Sequence, residues 1–344
     1  MTRALTCVPL FLIATVANAH TTAADQYWSH PGNAHSSTSG CGTPHTAGYH
    51  YRDSHGNFSI VSGNLTRYYS VQVPQDYDAT TQYPLIVDYH GNTDTSTQQR
   101  NNSLYFQYTN DYLVVYPQGY DRHWEGPKYA VPGVDDLQFT TDLLPHIKSK
   151  YCIDDNRIYA SGKSNGGGFV DTLACSDHGD SFAAFAMASA ALYTDLSLES
   201  CSKKRAILES HGDIDTVVAY AGRNCSAPDL SNATLASCTS SGSEPDIDQW
   251  VSWWGQRDCG PDAKPIYATS ETGYNINTYS CGSWADVVVH YEVFNLGHCW
   301  PSANGNNTDA LTQSASQNCS GDRVLDYTPV VLDFFSRWTL ESAP

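Results

Sequence analysis

The run Gly162-Lys163-Ser164-Asn165-Gly166 constrains this chain more than any other. Asn156-Arg157-Ile158-Tyr159-Ala160-Ser161 before it alternates like a short strand, and Gly167 to Ala174 after it reads as a helix of small residues. Strand, G-x-S-x-G, helix is the context of a nucleophile elbow, in which a sharp turn holds a serine hydroxyl at the first turn of a helix. Glycines flank such a serine because the turn leaves no room for neighbouring Cβ atoms. Free N–H groups and the helix dipole then favour negative charge beside the hydroxyl. The alternative is a Gly-rich surface turn with an incidental serine, and the flanking strand and helix favour the elbow.

Strand and helix patterns alternate around this run. Strands are expected at 67–73, 84–90, 111–116, 156–161, 182–191, 205–210 and 286–294, with a hairpin over 267–279. Helices are expected within 133–150, with a kink at Pro145, and over 167–174, 246–256 and 322–339. Continuous apolar strands separated by helices predict an α/β fold with a mostly parallel central sheet covered on both faces.

A serine hydroxyl is a poor nucleophile unless a base and an orienting carboxylate serve it. In this fold these follow in the order serine, acid, histidine, each after a strand. The strand at 205–210 leads into His211-Gly212-Asp213-Ile214-Asp215, where two aspartates compete for the acid. The strand ending at Phe294 leads into Asn295-Leu296-Gly297-His298-Cys299-Trp300, which makes His298 the candidate base. For the oxyanion hole the candidates are the backbone N–H groups of Asn165 and of Asn92 in the His90-Gly91-Asn92-Thr93 turn, with Thr93 as second choice. This chemistry calls for no metal or organic cofactor.

The N-terminus has Arg3, an apolar stretch from Cys7 to Val16 and Ala17-Asn18-Ala19, the pattern of a cleaved signal peptide over 1–19. Residues 20–50, rich in His, Ser, Thr and Gly, are expected as an extended arm. A single catalytic domain is expected over 51–344, with an excursion at about 221–245. Setting aside Cys7 leaves ten of the 11 cysteines, an even number that suits an oxidising compartment. Short loops suggest the pairs Cys175–Cys201, Cys225–Cys238, Cys259–Cys281 and Cys299–Cys319, leaving Cys41–Cys152. N-glycosylation sequons stand at Asn57, Asn64, Asn101, Asn224, Asn232, Asn306 and Asn318. Together these predict a secreted, extracellular glycoprotein, read here as a monomer.

A formal net charge of −18 argues against nucleic acid and anionic membranes, which require clustered Lys and Arg. The one basic cluster, Lys203-Lys204-Arg205, precedes an apolar strand and suits a solvated strand entrance. The 23 tyrosines and 8 tryptophans suit a neutral, ring-shaped target, although most such rings serve the core.

Residues 156–169, His211-Gly212-x-x-Asp215 and Gly297-His298 resemble the secreted fungal feruloyl esterases of carbohydrate esterase family 1. Those enzymes are related to extracellular polyhydroxybutyrate depolymerase-like α/β-hydrolases, and the resemblance runs from about 65 to 335. It implies the catalytic residues Ser164, Asp215 and His298, because the family's acid is the aspartate of H-G-x-x-D. It further implies a cleft after Tyr116-Pro117-Gln118-Gly119, followed by Trp124. Trp124 and Trp300 are the candidate substrate contacts, with core packing as the alternative for each. The chain departs from the pattern in Gly-His-Cys-Trp-Pro and in the 221–245 excursion. Lys163 before Ser164 excludes the tannase-like arrangement, which joins cysteines beside the serine and histidine.

The implied activity is hydrolysis of feruloyl, or more broadly hydroxycinnamoyl, esters of plant cell-wall polysaccharide through an acyl-enzyme. Alternatives are an acetylxylan esterase, a short-chain polyhydroxyalkanoate depolymerase, and, from a different class, an inactive glycan-binding wall glycoprotein.

Overall fold

The computed structural model describes residues 38–51, 58–192, 200–228, 230–269, 273–303, 319, 321 and 324–344. The expected signal peptide, most of the expected arm and the sequons Asn57, Asn306 and Asn318 lie outside these residues.

Among the described residues, one 11-stranded sheet organises the fold. Its strands are β1 (Gly48–His50), β2 (Phe58–Ser62), β3 (Leu65–Val73), β4 (Tyr83–Tyr89), β5 (Leu113–Gln118), β6 (Ile153–Lys163), β7 (Ala184–Ala188), β8 (Ile207–Gly212), β9 (Ile266–Thr269), β10 (Tyr274–Cys281) and β11 (Trp284–Val293). The spatial order is β1-β3-β5-β4-β6-β7-β8-β11-β10-β9, with β2 paired to β3. From β5 to β11 all neighbours are parallel. Antiparallel β1, β2 and β3 extend one edge, and β10 and β9 the other. The expected parallel sheet is thus the centre of a mixed one. Strands β4, β5 and β7 are buried at every position and mostly apolar because helices cover both of their faces.

The helices are α1 (Ser96–Ser103), α2 (Tyr105–Tyr108), α3 (Asp136–Lys148), α4 (Asn165–Ala174), α5 (Asn232–Ser240), α6 (Ile247–Cys259) and α7 (Tyr327–Ser336). Alternation along the strands assigns them to two layers. Tyr89 meets Thr140 of α3 and Phe169 of α4, whereas its neighbour Asp88 accepts from Gln99 of α1. Trp254 of α6 donates to Asp171 of α4, and Thr328 of α7 bonds the Ser103 carbonyl at the end of α1. This is a disulfide-stabilised α/β-hydrolase fold.

Several local expectations change. The strand expected at 182–191 is only β7, and α3 runs through Pro145. The described part of the expected arm, 38–50, is not free: Gly40 N–H bonds Lys148 O, Cys41 is joined to Cys152, and β1 pairs with β3. The disulfides are Cys175–Cys201, Cys225–Cys238, Cys259–Cys281 and Cys299–Cys319, each closing a short loop, and Cys41–Cys152, which spans 111 residues. The excursion at 221–245 holds α5, crosslinked by Cys225–Cys238 and closed at its base by the Arg223–Glu244 ion pair at 3.1 Å. Among the described residues, no helix is long and apolar enough to cross a membrane.

Candidate active site

Parallel strands bring their C-terminal ends to one edge of a sheet, where ligands of α/β folds bind. The candidate residues all follow such ends: Asn92 after β4, Ser164 after β6, Asp215 after β8 and His298 after β11.

Ser164 occupies φ 56° and ψ −120°, a conformation that costs a non-glycine residue roughly 1–3 kcal/mol. Its carbonyl accepts from Gly168 N–H and Ala191 N–H, both at 2.9 Å, and its N–H bonds Ala188 O at 3.0 Å. The flanking glycines are required by contact. A Cβ on Gly162 would stand 2.6 Å from Gly166 C, and one on Gly166 would stand 2.2 Å from Tyr89 O. Gly166→Ala is therefore expected to cost about 3 kcal/mol or more of stability, measured by denaturant unfolding, because the obstacle is backbone and cannot rotate away. A change below about 1 kcal/mol would mean that the turn adapts.

Asp215 and His298 meet directly, with His298 Nδ1 2.7 Å from Asp215 Oδ2. A carboxylate oxygen only accepts, so Nδ1 carries the proton and Nε2 presents its lone pair. That Nε2 is buried with no hydrogen-bond partner among the described residues. No Ser164–His298 hydrogen bond is formed; in unliganded sites such bonds are often long and tighten on substrate. The loops that carry Asp215 and His298 are bound together: Asp213 N–H bonds Val293 O at 3.0 Å, and Ile214 N–H bonds Leu296 O at 3.2 Å. A Cβ on Gly212 would stand 2.0 Å from Leu296 O, so this close approach needs glycine.

The two aspartates left open by the sequence separate by burial. Asp213 is exposed, whereas Asp215 is buried. Asp215 Oδ1 accepts from Val217 N–H at 2.8 Å and Val218 N–H at 3.0 Å. Burial opposes its ionisation, but His298 and His211 beside it outweigh that and hold the carboxyl well below the usual range.

The His90-Gly91-Asn92-Thr93 turn lies against the elbow, since a Cβ on Gly91 would stand 3.5 Å from Ser164 Cβ. Thr93 N–H is already used, by Arg122 O at 2.9 Å. Asn92 N–H has no such partner among the described residues, and Asn165 N–H opens α4, where helical geometry leaves donors free. The turn is held by two histidines. His90 Nε2 accepts from Gly119 N–H and Gln118 Nε2, each at 2.9 Å, so Nδ1 donates to Gly91 O at 2.7 Å. Burial pushes the His90 pKa down to about 3, which keeps this ring neutral. His123 Nδ1 lies 2.6 Å from Asn92 Oδ1.

Trp124 and Trp300 require correction as substrate contacts. Trp124 is fully buried, donates Nε1–H to His90 O, and exchanges backbone bonds with the Asn165 side chain. Trp300 is buried against Tyr105 and Tyr327 and donates to Thr328 Oγ1. Both rings support the site from inside. The exposed apolar side chains on these loops are Tyr120, 38% exposed, and Ile214, 46% exposed. His123, Glu209, His211 and His290 also escaped the sequence reading. Glu209 and His290 carried a signal, being ionisable groups inside apolar strands. Among the described residues, no cluster of His, Cys, Asp and Glu has the form of a metal site.

Residues 62–274 match the family described as putative esterase, a stretch that includes Ser164 and Asp215 and stops before His298. The chain belongs to the putative esterase family. This esterase-family chain is 30% identical over 117 residues to a probable feruloyl esterase C of Aspergillus niger, covering 32% of this chain and 42% of that protein. It is 31% identical over 168 residues to feruloyl esterase B of Piromyces equi, covering 44% of this chain and 30% of that protein. The chain thus spans less than half the length of these curated relatives. An acetyl xylan esterase from Aspergillus awamori is similar over 68% of this chain and 89% of its own, at 16% identity and TM-score 0.47.

Proposed function

We propose that this protein is a secreted serine carboxylic ester hydrolase that releases hydroxycinnamoyl groups, feruloyl foremost, from plant cell-wall polysaccharide. The observation that carries the hydrolase reading is His298, whose Nδ1 is engaged by Asp215 and whose buried Nε2 has no partner among the described residues. An orphaned acceptor in that position, at the same sheet edge as a strained serine, suits a general base.

In this reading Nε2 of His298 takes the Ser164 proton as Oγ attacks the ester carbonyl. The N–H groups of Asn92 and Asn165 receive the oxyanion, and Asp215 stabilises the imidazolium. His298 returns the proton to the leaving alcohol, and water repeats the cycle on the acyl-enzyme. The neutral His90 and the His123–Asn92 contact hold the oxyanion turn in shape beforehand, which is where electrostatic catalysis gains most.

The feruloyl preference rests on the feruloyl esterase relatives and on Tyr120 and Ile214, exposed on the loops after β5 and β8. Export rests on the five disulfides and on the exposure of Asn64, Asn101, Asn224 and Asn232. Release of ferulate from methyl ferulate and feruloylated arabinoxylan, compared with acetate release from acetylated xylan, tests the acyl group. Faster acetate release would move the assignment to an acetylxylan esterase.

A further inference from the structure

The acid loop rests on a second, buried set of ionisable groups. Glu209 and His211 are two residues apart on β8 and share one face of the sheet. Both are fully buried. A carboxylate following Ala206-Ile207-Leu208 is tolerated there only if it is paired. Glu209 Oε1 lies 3.0 Å from His211 Nδ1, and Oε2 lies 2.7 Å from Nδ1 of His290, its register neighbour on β11. On the other side of the ring, His211 Nε2 faces Val218 O at 2.9 Å and Asp215 Oδ2 at 3.3 Å.

Acceptors therefore meet both nitrogens of His211. A neutral imidazole has one N–H and satisfies one of them; an imidazolium satisfies both. We propose that Glu209 and His211 are positioning residues of the triad: a His211 imidazolium, held by Glu209, lies against Asp215 beside His298 and limits how far Asp215 raises the basicity of His298. This rests on the reading of Ser164, Asp215 and His298 as the triad.

The surroundings fit this division of charge. Burial works against a charged His211, yet Glu209 and Asp215 outweigh it and push its pKa up to about 10. Burial also works against the Glu209 anion, and His211 and His290 overcome it, leaving Glu209 below its ordinary range. Tyr220 from the loop after β8 and Tyr327 from α7 face Glu209, and Asp248 from α6 and Glu292 from β11 face Tyr220 in turn. Tyr220 OH lies 2.9 Å from His290 Nε2 and donates to Asp248 Oδ1 at 2.9 Å.

The charges alternate from Glu209 through His211 to Asp215. A cation on Asp215 weakens the negative field at His298, so His298 gives up its proton more readily when the leaving alcohol needs it. Neutralising Glu209 removes the partner that keeps His211 charged. His298 then feels more of the Asp215 anion and becomes more basic.

The test is the pH dependence of fluorophosphonate labelling of Ser164 in the wild-type protein and in Glu209→Gln, Glu209→Asp and Ser164→Ala. In Glu209→Gln the acid limb set by His298 should move up by on the order of half a pH unit or more, the direction expected when one neighbouring cation is lost. Glu209→Asp, which keeps the charge, should move it less. A folded Glu209→Gln with the limb in place overturns the proposal, whether or not its rate falls, because a packing role alone lowers the rate without moving the limb. Should Glu209→Gln fail to fold, ¹⁵N-histidine spectra of the wild-type protein decide. A His211 ring protonated on both nitrogens through pH 8 upholds the proposal, and a singly protonated ring overturns it. Labelling of wild type but not of Ser164→Ala keeps the triad reading intact whichever way Glu209 falls; equal labelling of both removes that reading itself.

Discussion

Ser164→Ala is expected to lower ester turnover by on the order of 10⁶-fold while leaving the fold intact. The loss is so large because a triad acts as a unit: without Oγ, the base and the oxyanion donors have no attack to assist. What remains comes from binding and oxyanion stabilisation alone. Stability should change by less than about 1 kcal/mol, since the Ser164 side chain makes no hydrogen bond among the described residues and alanine keeps the same backbone demands. Hydrolysis of a soluble aryl ester, read beside a denaturant melt, checks both halves. A variant that retains a tenth of wild-type turnover would remove Ser164 from the nucleophile's place.

Asp215→Asn should cost on the order of 10⁴-fold in kcat, for a reason specific to this loop. Val217 N–H and Val218 N–H both point at Oδ1, so the amide oxygen of the variant must occupy that side. Its NH2 then faces His298 Nδ1, where a donor already stands. His298 can relieve the clash only by moving its proton to Nε2, the atom that must accept from Ser164. The ring remains in position in the wrong tautomer. A loss nearer tenfold, measured on the same aryl ester, would show that Asp215 does not set this tautomer.

The elbow was legible because its constraint is local. Gly162 and Gly166 are excluded from carrying a Cβ by neighbours that any strand–turn–helix of this kind brings close. The placement of Asp215 and His298 after their strands was legible from the alternation of strands and loops. Choosing between Asp213 and Asp215 on residues alone was not possible, because both lie on one loop and only packing buries one of them. The tryptophans misled for a related reason. An indole suits a sugar or a phenolic ring as well as it suits a core, and Trp124 and Trp300 were decided by His90, Thr328 and the surrounding aromatics. The hairpin over 267–279 announced the antiparallel edge formed by β9 and β10, whereas the reversal at β3 on the other edge was hidden because apolar alternation does not record direction. Glu209 and His290 were visible as ionisable residues in apolar strands, but their pairing is set by register between β8 and β11.

The crosslink at Cys299 gives the two halves of the site unequal chemical resilience. Ser164 and Asp215 are fixed by packing and hydrogen bonds within the sheet edge, whereas the residue next to His298 is tethered by a covalent bond to Cys319. A chain made in a reducing cytoplasm could therefore assemble its nucleophile while its base loop lacked that tether. The yield of protein that a Ser164 probe labels should then depend on the redox conditions in which the chain folds.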